Sequence, residues 1–197
     1  MICKNQNQPW LNHPRSTTFY FEMYPASQSK RYMEKILGDR LLNKAVEELL
    51  KYCNKKDTNF KIIRKGKPKV VSDFPISISL SHTLGLVCAA ASLKMVGVDC
   101  ETIQSFSPQL LDKISSKQEI ENLNLKSDES FTQLWCAKEA VSKALGIGFK
   151  INPKNIIISI EKQKKEMCYA VIEEIDKMFN IYFNKINENV VALAELR

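Results

Sequence analysis

The spacing of apolar and polar positions changes period several times along the chain, and each change marks an element. Residues 17–24 (TTFYFEMY) crowd aromatic and β-branched side chains together and predict a strand that Pro25 ends. The polar Ala26-Ser27-Gln28-Ser29 then caps a helix over about 30–52, where Ile36, Leu37, Leu41, Val46, Leu49 and Leu50 recur at helical spacing. A charged turn at 54–59 leads to a strand at 60–64 and a Gly66-Lys67-Pro68 turn. Three strands are expected next, at 76–80, 86–93 and 95–101. In the first of them Ile76-Ser77-Ile78-Ser79-Leu80 alternates strictly, as a half-buried strand does.

Beyond Pro108 the period returns to helical. Two short pieces come first, the second opening on the capping-box pattern Ser116-Lys117-Gln118-Glu119. A stronger helix spans 128–145 and stops at Gly146. Strands follow at 155–161, 167–173, 178–184 and 190–196, with polar turns at 162–165 and 187–189. Each half of the chain thus holds one long helix and several short strands. This layout predicts an α+β fold of two similar lobes, 1–97 and 98–197, each a small antiparallel sheet packed on its helix, with a cleft between them.

Composition narrows the classes. The 197 residues are 44% hydrophobic and 26% charged, enough for a real core. The apolar run at 86–92 is far short of the roughly 20 residues a bilayer span needs. The first ten residues have no apolar signal core, so a soluble cytoplasmic protein without membrane association is expected. Six scattered cysteines with no Cys-x-x-Cys pair, and only two histidines, argue against zinc and against a disulfide framework. The net charge of +7 could serve nucleic acid, a polyphosphate ligand or an acidic protein, or be only a solvated surface. The lysines are dispersed and no nucleic-acid motif is present, so no nucleic-acid partner is expected.

Candidate chemistry gathers in a few places. Asp99 and Glu101 sit at i and i+2 of a strand and so face the same way; two adjacent carboxylates favour a shared cation, although a solvated strand end is the commoner arrangement. Lys138 falls on the apolar face of the 128–145 helix, where an ammonium has to snorkel or meet a buried anion. Glu139 and Lys143 are spaced as a helix-stabilising ion pair, which by itself accounts for them. Ser81 and His82 at a strand end suit anion binding, and a structural histidine suits the segment equally well. The basic 64–68 turn lacks the glycine pattern of a nucleotide-binding loop.

Taken in order, GKP (66–68), SLSHT (79–83), GVDCE (97–101), SSKQE (115–119) and WCAKEAVSKALG (135–146) resemble the 4′-phosphopantetheinyl transferases, specifically the long monomeric type that activates peptide and polyketide synthases. The resemblance runs from about Lys30 to the C-terminus. It implies a pseudo-twofold pair of lobes with coenzyme A in the cleft. The implied reaction moves the phosphopantetheine arm of coenzyme A to a serine hydroxyl of an apo carrier protein (acyl, peptidyl or aryl), releasing adenosine 3′,5′-bisphosphate. Carried over by position, Asp99, Glu101 and Glu139 would hold Mg2+, Lys143 would meet the phosphates, and Glu119 would be the base. Lys67, Ser81, His82 and Lys138 would contact coenzyme A, and Lys30, Arg31 and Lys35 are candidates for a clamp on its 3′-phosphate. A monomer is expected, and a coenzyme A-binding protein of the same fold without transfer activity is the alternative.

Overall fold

The computed structural model describes residues 16–25, 27, 30–123, 125–160 and 168–197. The expectations for the first ten residues and for the turn at 162–165 lie outside them, as does most of the capping stretch at 26–29. The aromatic stretch forms β1 (Thr17–Met23) and the long periodic segment forms α1 (Lys30–Tyr52). A hairpin of β2 (Phe60–Ile63) and β3 (Lys69–Ser72) follows. The sequence reading passed over β3, since four residues between Pro68 and Pro75 are too short to show a period. Next come β4 (Ser77–Thr83) and β5 (Leu86–Ser92), and a three-stranded antiparallel sheet runs β1-β5-β4.

The second sheet has five antiparallel strands in the order β6-β10-β9-β8-β7. These are β6 (Val96–Thr102), β7 (Ile157–Ile160), β8 (Cys168–Ile172), β9 (Lys177–Ile186) and β10 (Asn189–Leu196). Between β6 and β7 lie α2 (Pro108–Ile114), α3 (Lys117–Asn122) and α4 (Asp128–Leu145). The capping box at Ser116 forms as expected. Gly146 ends α4 at φ 73°, a backbone state a side chain disfavours. The strand expected from 155 begins two residues later, because Pro153–Asn155 makes a 3-10 turn. The α+β architecture is as the sequence predicts. Among the described residues no helix is long and apolar enough to cross a membrane.

Three apolar clusters stack these layers. Leu37, Leu41, Val46 and Leu49 of α1 pack on Ile78, Val87, Ala89 and Ala91 of the first sheet. The alternate residues Leu86, Cys88 and Ala90 meet Val96, Val98, Cys100, Val191 and Leu193 of the second sheet. The far face of that sheet, with Val190, Ala192 and Ala194, packs on Leu134, Ala137, Ala140 and Val141 of α4. β5 is therefore covered on both faces, which explains its run of alanines: small side chains let a helix and a sheet both approach it.

The alternating serines of β4 depart from the half-buried expectation. Ser79 and Ser81 are buried, and the polar side of the strand faces β6 rather than water. Val98 N–H donates to Ser79 Oγ at 3.0 Å, Val96 N–H to Ser77 Oγ at 3.2 Å and Cys100 N–H to Ser81 Oγ at 3.3 Å. One edge of β6 pairs with β10, so these N–H groups point off the open edge of the sheet. Three hydroxyls thus stand in for a neighbouring strand and satisfy donors that burial would leave orphaned. A second clasp lies at Glu195 of β10, 1% exposed, whose carboxylate accepts from the hydroxyls of Ser16, Thr17 and Ser92.

Replacing Ser79 by Ala strips the acceptor from a buried N–H and is expected to cost about 1–3 kcal/mol. Urea unfolding measures this, and an unchanged midpoint would remove the seam's claim to hold the sheets together.

Candidate functional site

The site begins with a missing side chain. Gly97, Asp99 and Glu101 lie on the face of β6 that meets α4. A Cβ on Gly97 would fall 1.8 Å from the Ala140 carbonyl oxygen and 2.6 Å from the Ala144 nitrogen. Only glycine lets the helix backbone rest on the strand at this point. That approach sets Glu139 and Lys143, on either side of Ala140 in α4, beside Asp99.

Asp99 is 3% exposed. Its Oδ1 accepts from Lys143 Nζ at 2.6 Å and from Ser81 Oγ at 2.9 Å. Lys143 Nζ also donates to Ser81 Oγ at 2.8 Å. The Ser81 hydroxyl therefore ties together a carboxylate, an ammonium and the Cys100 N–H. Asp99 Oδ2 is buried and has no hydrogen-bond partner. An orphaned carboxylate oxygen beside a cationic side chain costs free energy unless something else binds it.

Burial and the nearby Asp99 push the Glu139 carboxyl up to about 7, Lys143 lowers it in part, and Glu101 raises it further. Burial alone would pull the Lys143 ammonium down, yet the Asp99 carboxylate prevails and its pKa is raised. Three acidic groups therefore share one field with a single ammonium. The donor chemistry fits a hard divalent cation: carboxylate oxygens only, an excess of negative charge, and one bare oxygen already buried. Among the described residues no three His, Cys, Asp or Glu side chains are already gathered as a ligand set, so Asp99, Glu101 and Glu139 have to draw together to share an ion.

A pocket of about 250 Å³ opens next to this cluster, lined by Lys67, Pro68, Ser79, Leu80, Lys143 and Gly146 among others. Lys67 Nζ donates to the Ala144 carbonyl at 2.9 Å, a cation on the C-terminal end of α4 where the helix dipole favours it. Burial, helped by Lys69, lowers its pKa. His82 is partly exposed and its Nδ1 lies 2.8 Å from Glu34 Oε1 on α1. Arg31 and Lys35 are exposed on α1, and Lys35 borders a separate groove with Asp39 and Arg64. Lys30 starts α1, and its side chain lies outside those described.

Two expected site residues are placed elsewhere. Glu119 and Lys138 are each 1% exposed and bind one another, with Nζ 2.8 Å from Oε1 and 2.9 Å from Oε2. Oε1 also accepts from Ile158 N–H and Oε2 from Ser116 N–H, while Lys138 donates to the Pro153 carbonyl. The Glu119 carboxylate thus spends both oxygens on partners within the protein. Lys138, whose pKa burial lowers against the opposing pull of Glu119, does not reach the pocket as a coenzyme A contact. The pair instead locks α3, α4 and the start of β7 together. The sequence reading also missed Gly97 as the residue that seats α4; a lone glycine before an acidic pair was the available signal.

Two expectations follow. Gly97→Ala drives a methyl into a helix carbonyl and is expected to cost about 1–3 kcal/mol or more; a melting curve that superposes on the parent would sink this account of the α4 contact. Glu119→Ala strands a buried ammonium and is expected to cost about 3–5 kcal/mol, whereas Glu119→Leu with Lys138→Met costs much less. Chemical unfolding of the parent, Glu119→Leu, Lys138→Met and the double variant gives the coupling, and purely additive losses would contradict the pairing.

Residues 95–194 match the family model described as the 4′-phosphopantetheinyl transferase superfamily. Over 138 residues the chain is 32% identical to 4′-phosphopantetheinyl transferase gsp of Aneurinibacillus migulanus, covering 68% of this chain and 56% of that protein. It is 30% identical over 121 residues to 4′-phosphopantetheinyl transferase ffp of Bacillus subtilis, covering 59% and 53%. A holo-[acyl-carrier-protein] synthase of Nautilia profundicola is 33% identical over 94 residues, 44% of this chain and 80% of that one. The match thus spans about half the length of the first two relatives.

Proposed function

The chain belongs to the 4′-phosphopantetheinyl transferase superfamily, and from that premise we propose that it moves phosphopantetheine from coenzyme A to a serine hydroxyl of an apo carrier protein. The serine oxygen attacks the phosphorus that bears the pantetheine arm. The bond from that phosphorus to the bridging oxygen breaks, adenosine 3′,5′-bisphosphate leaves, and the serine proton is lost to solvent. One observation carries the reading: Asp99 holds Lys143 on one oxygen and keeps the other buried and bare, beside a pocket lined by Lys67 and Lys143.

In this reading Asp99, Glu101 and Glu139 hold Mg2+, which supplies charge compensation to the diphosphate. The chain's own groups have distinct tasks. Lys143, ordered by Ser81 and Asp99, presents its ammonium to the leaving phosphate, where negative charge grows as the bond breaks. Lys67 supplies a second positive charge to the pocket wall, fixed by the carbonyl end of α4. His82, steadied by Glu34, lies at the end of β4 within the same basic surround. Ser81 acts through Lys143 and Asp99 and is a positioning residue. The halves 1–97 and 98–197 then supply the two walls: β4 and the 64–68 turn on one side, the C-terminal end of α4 and Gly148 on the other. A monomeric, cytoplasmic enzyme fits this scheme.

The deciding experiment incubates the protein with coenzyme A, Mg2+ and a panel of apo carrier proteins and weighs the carriers by mass spectrometry. A gain of one phosphopantetheine is expected. Lys143→Ala is expected to lower kcat about 10²–10³-fold, and Asp99→Ala to abolish calorimetric Mg2+ binding along with transfer. If no carrier gains mass while coenzyme A still binds, the transferase reading fails and a coenzyme A-binding protein is left.

A further inference from the structure

The β2–β3 hairpin carries features that the pocket chemistry does not use. Phe60, Ile62 and Val70 face inward and pack on the cluster beneath α1. Lys61, Ile63, Lys69 and Val71 face outward and are exposed, Ile63 at 43% and Val71 at 56%. The register pairs Lys61 with Val71 and Ile63 with Lys69. Cross-strand partners about 5 Å apart therefore alternate cation and branched aliphatic in both directions. Scattered exposed aliphatics are ordinary, but this arrangement makes a small amphiphilic plate.

Its charge has one sign. Lys61, Arg64, Lys65, Lys67 and Lys69 follow one another with no carboxylate between Asp57 and Asp73. Arg64 is engaged by Asp39 at 2.8 Å, and Lys67 is turned onto α4. Among the described residues, Lys61, Lys65 and Lys69 have no ion-pair partner.

We propose that this outer face docks an acidic, partly apolar protein surface on the macromolecule that receives the transferred group; the proposal rests on the transferase reading above. Charge complementarity selects an acidic partner. The exposed aliphatics select a protein surface over nucleic acid, since the plate offers no aromatic ring for a base to stack on and Phe60 is turned inward. Position selects the macromolecular substrate. The hairpin's own turn supplies Lys67 to the pocket, so a partner lying along strands of four residues, at about 3.3 Å each, stays within about 15 Å of the reacting groups. A small substrate held in the pocket does not reach the outer face.

The test uses Lys61→Glu, Val71→Glu and the double variant, with a carrier protein that the parent modifies. Carrier protein and coenzyme A are varied separately. The double variant is expected to raise the carrier KM tenfold or more at low salt, with kcat and the coenzyme A KM within about twofold of the parent. The parent's carrier KM is expected to climb with added NaCl, and the double variant's to respond much less. Melting curves check the fold, and Lys61→Gln with Val71→Thr repeats the measurement if the glutamates disturb the hairpin. An unchanged carrier KM overturns the docking surface alone, as does an equal rise in both KM values. A nucleic-acid gel shift that these substitutions abolish, with carrier KM unmoved, also overturns it. A parent that modifies no carrier overturns the transferase reading and this proposal with it.

Discussion

The site depends on one contact, the backbone of α4 lying on the backbone of β6 at Gly97. The Ala140 carbonyl occupies the space where any other residue would have its Cβ. With helix and strand this close, Asp99 loses its water and Glu139 is partly buried against it. Burial strengthens every charge interaction between them, which is why a carboxyl that would ordinarily ionise far below neutrality is pushed up to about 7. The closeness that makes the acidic groups costly to bury is the same closeness that places them in one field with Lys143.

Two lysines five residues apart on α4 show how helical rotation divides labour. At about 100° per residue they point some 140° apart. Lys138 is turned into the protein, where the enclosed Glu119 carboxylate and the Pro153 carbonyl fix it. Lys143 is turned toward the pocket and is held by groups that leave it at the surface of a cavity. One ammonium is spent on architecture and the other stays available for chemistry, although the two look alike in a linear motif.

That difference also marks how far the sequence could be read. The period of the apolar positions gave both long helices and most strands, and the Ser-x-x-Glu pattern gave the capping box at Ser116, because those signals are local. The alternation around Asp99 gave two carboxylates on one face for the same reason. Glu119 and Lys138 carry the resemblance by position, and position within a motif does not say that the two are buried against one another. The serines of β4 read as a solvent face because alternation records polarity, and polarity has two outlets: water, or another element's unpaired backbone. Only the packing of the second sheet decides between them. β3 escaped notice because its neighbours, rather than its own four residues, make it a strand.

The seam of Ser77, Ser79 and Ser81 has a mechanical consequence. Hydroxyls recur every second residue on β4, and the N–H groups they receive recur every second residue on β6. A slip of one residue would set Ile78 and Leu80 against those donors and unpair them all, while a slip of two would carry Ser81 away from Lys143. The joint between the sheets therefore behaves as a ratchet with one usable notch. The register that pairs the serines with β6 is thus the same register that sets Ser81 against Lys143 and Asp99.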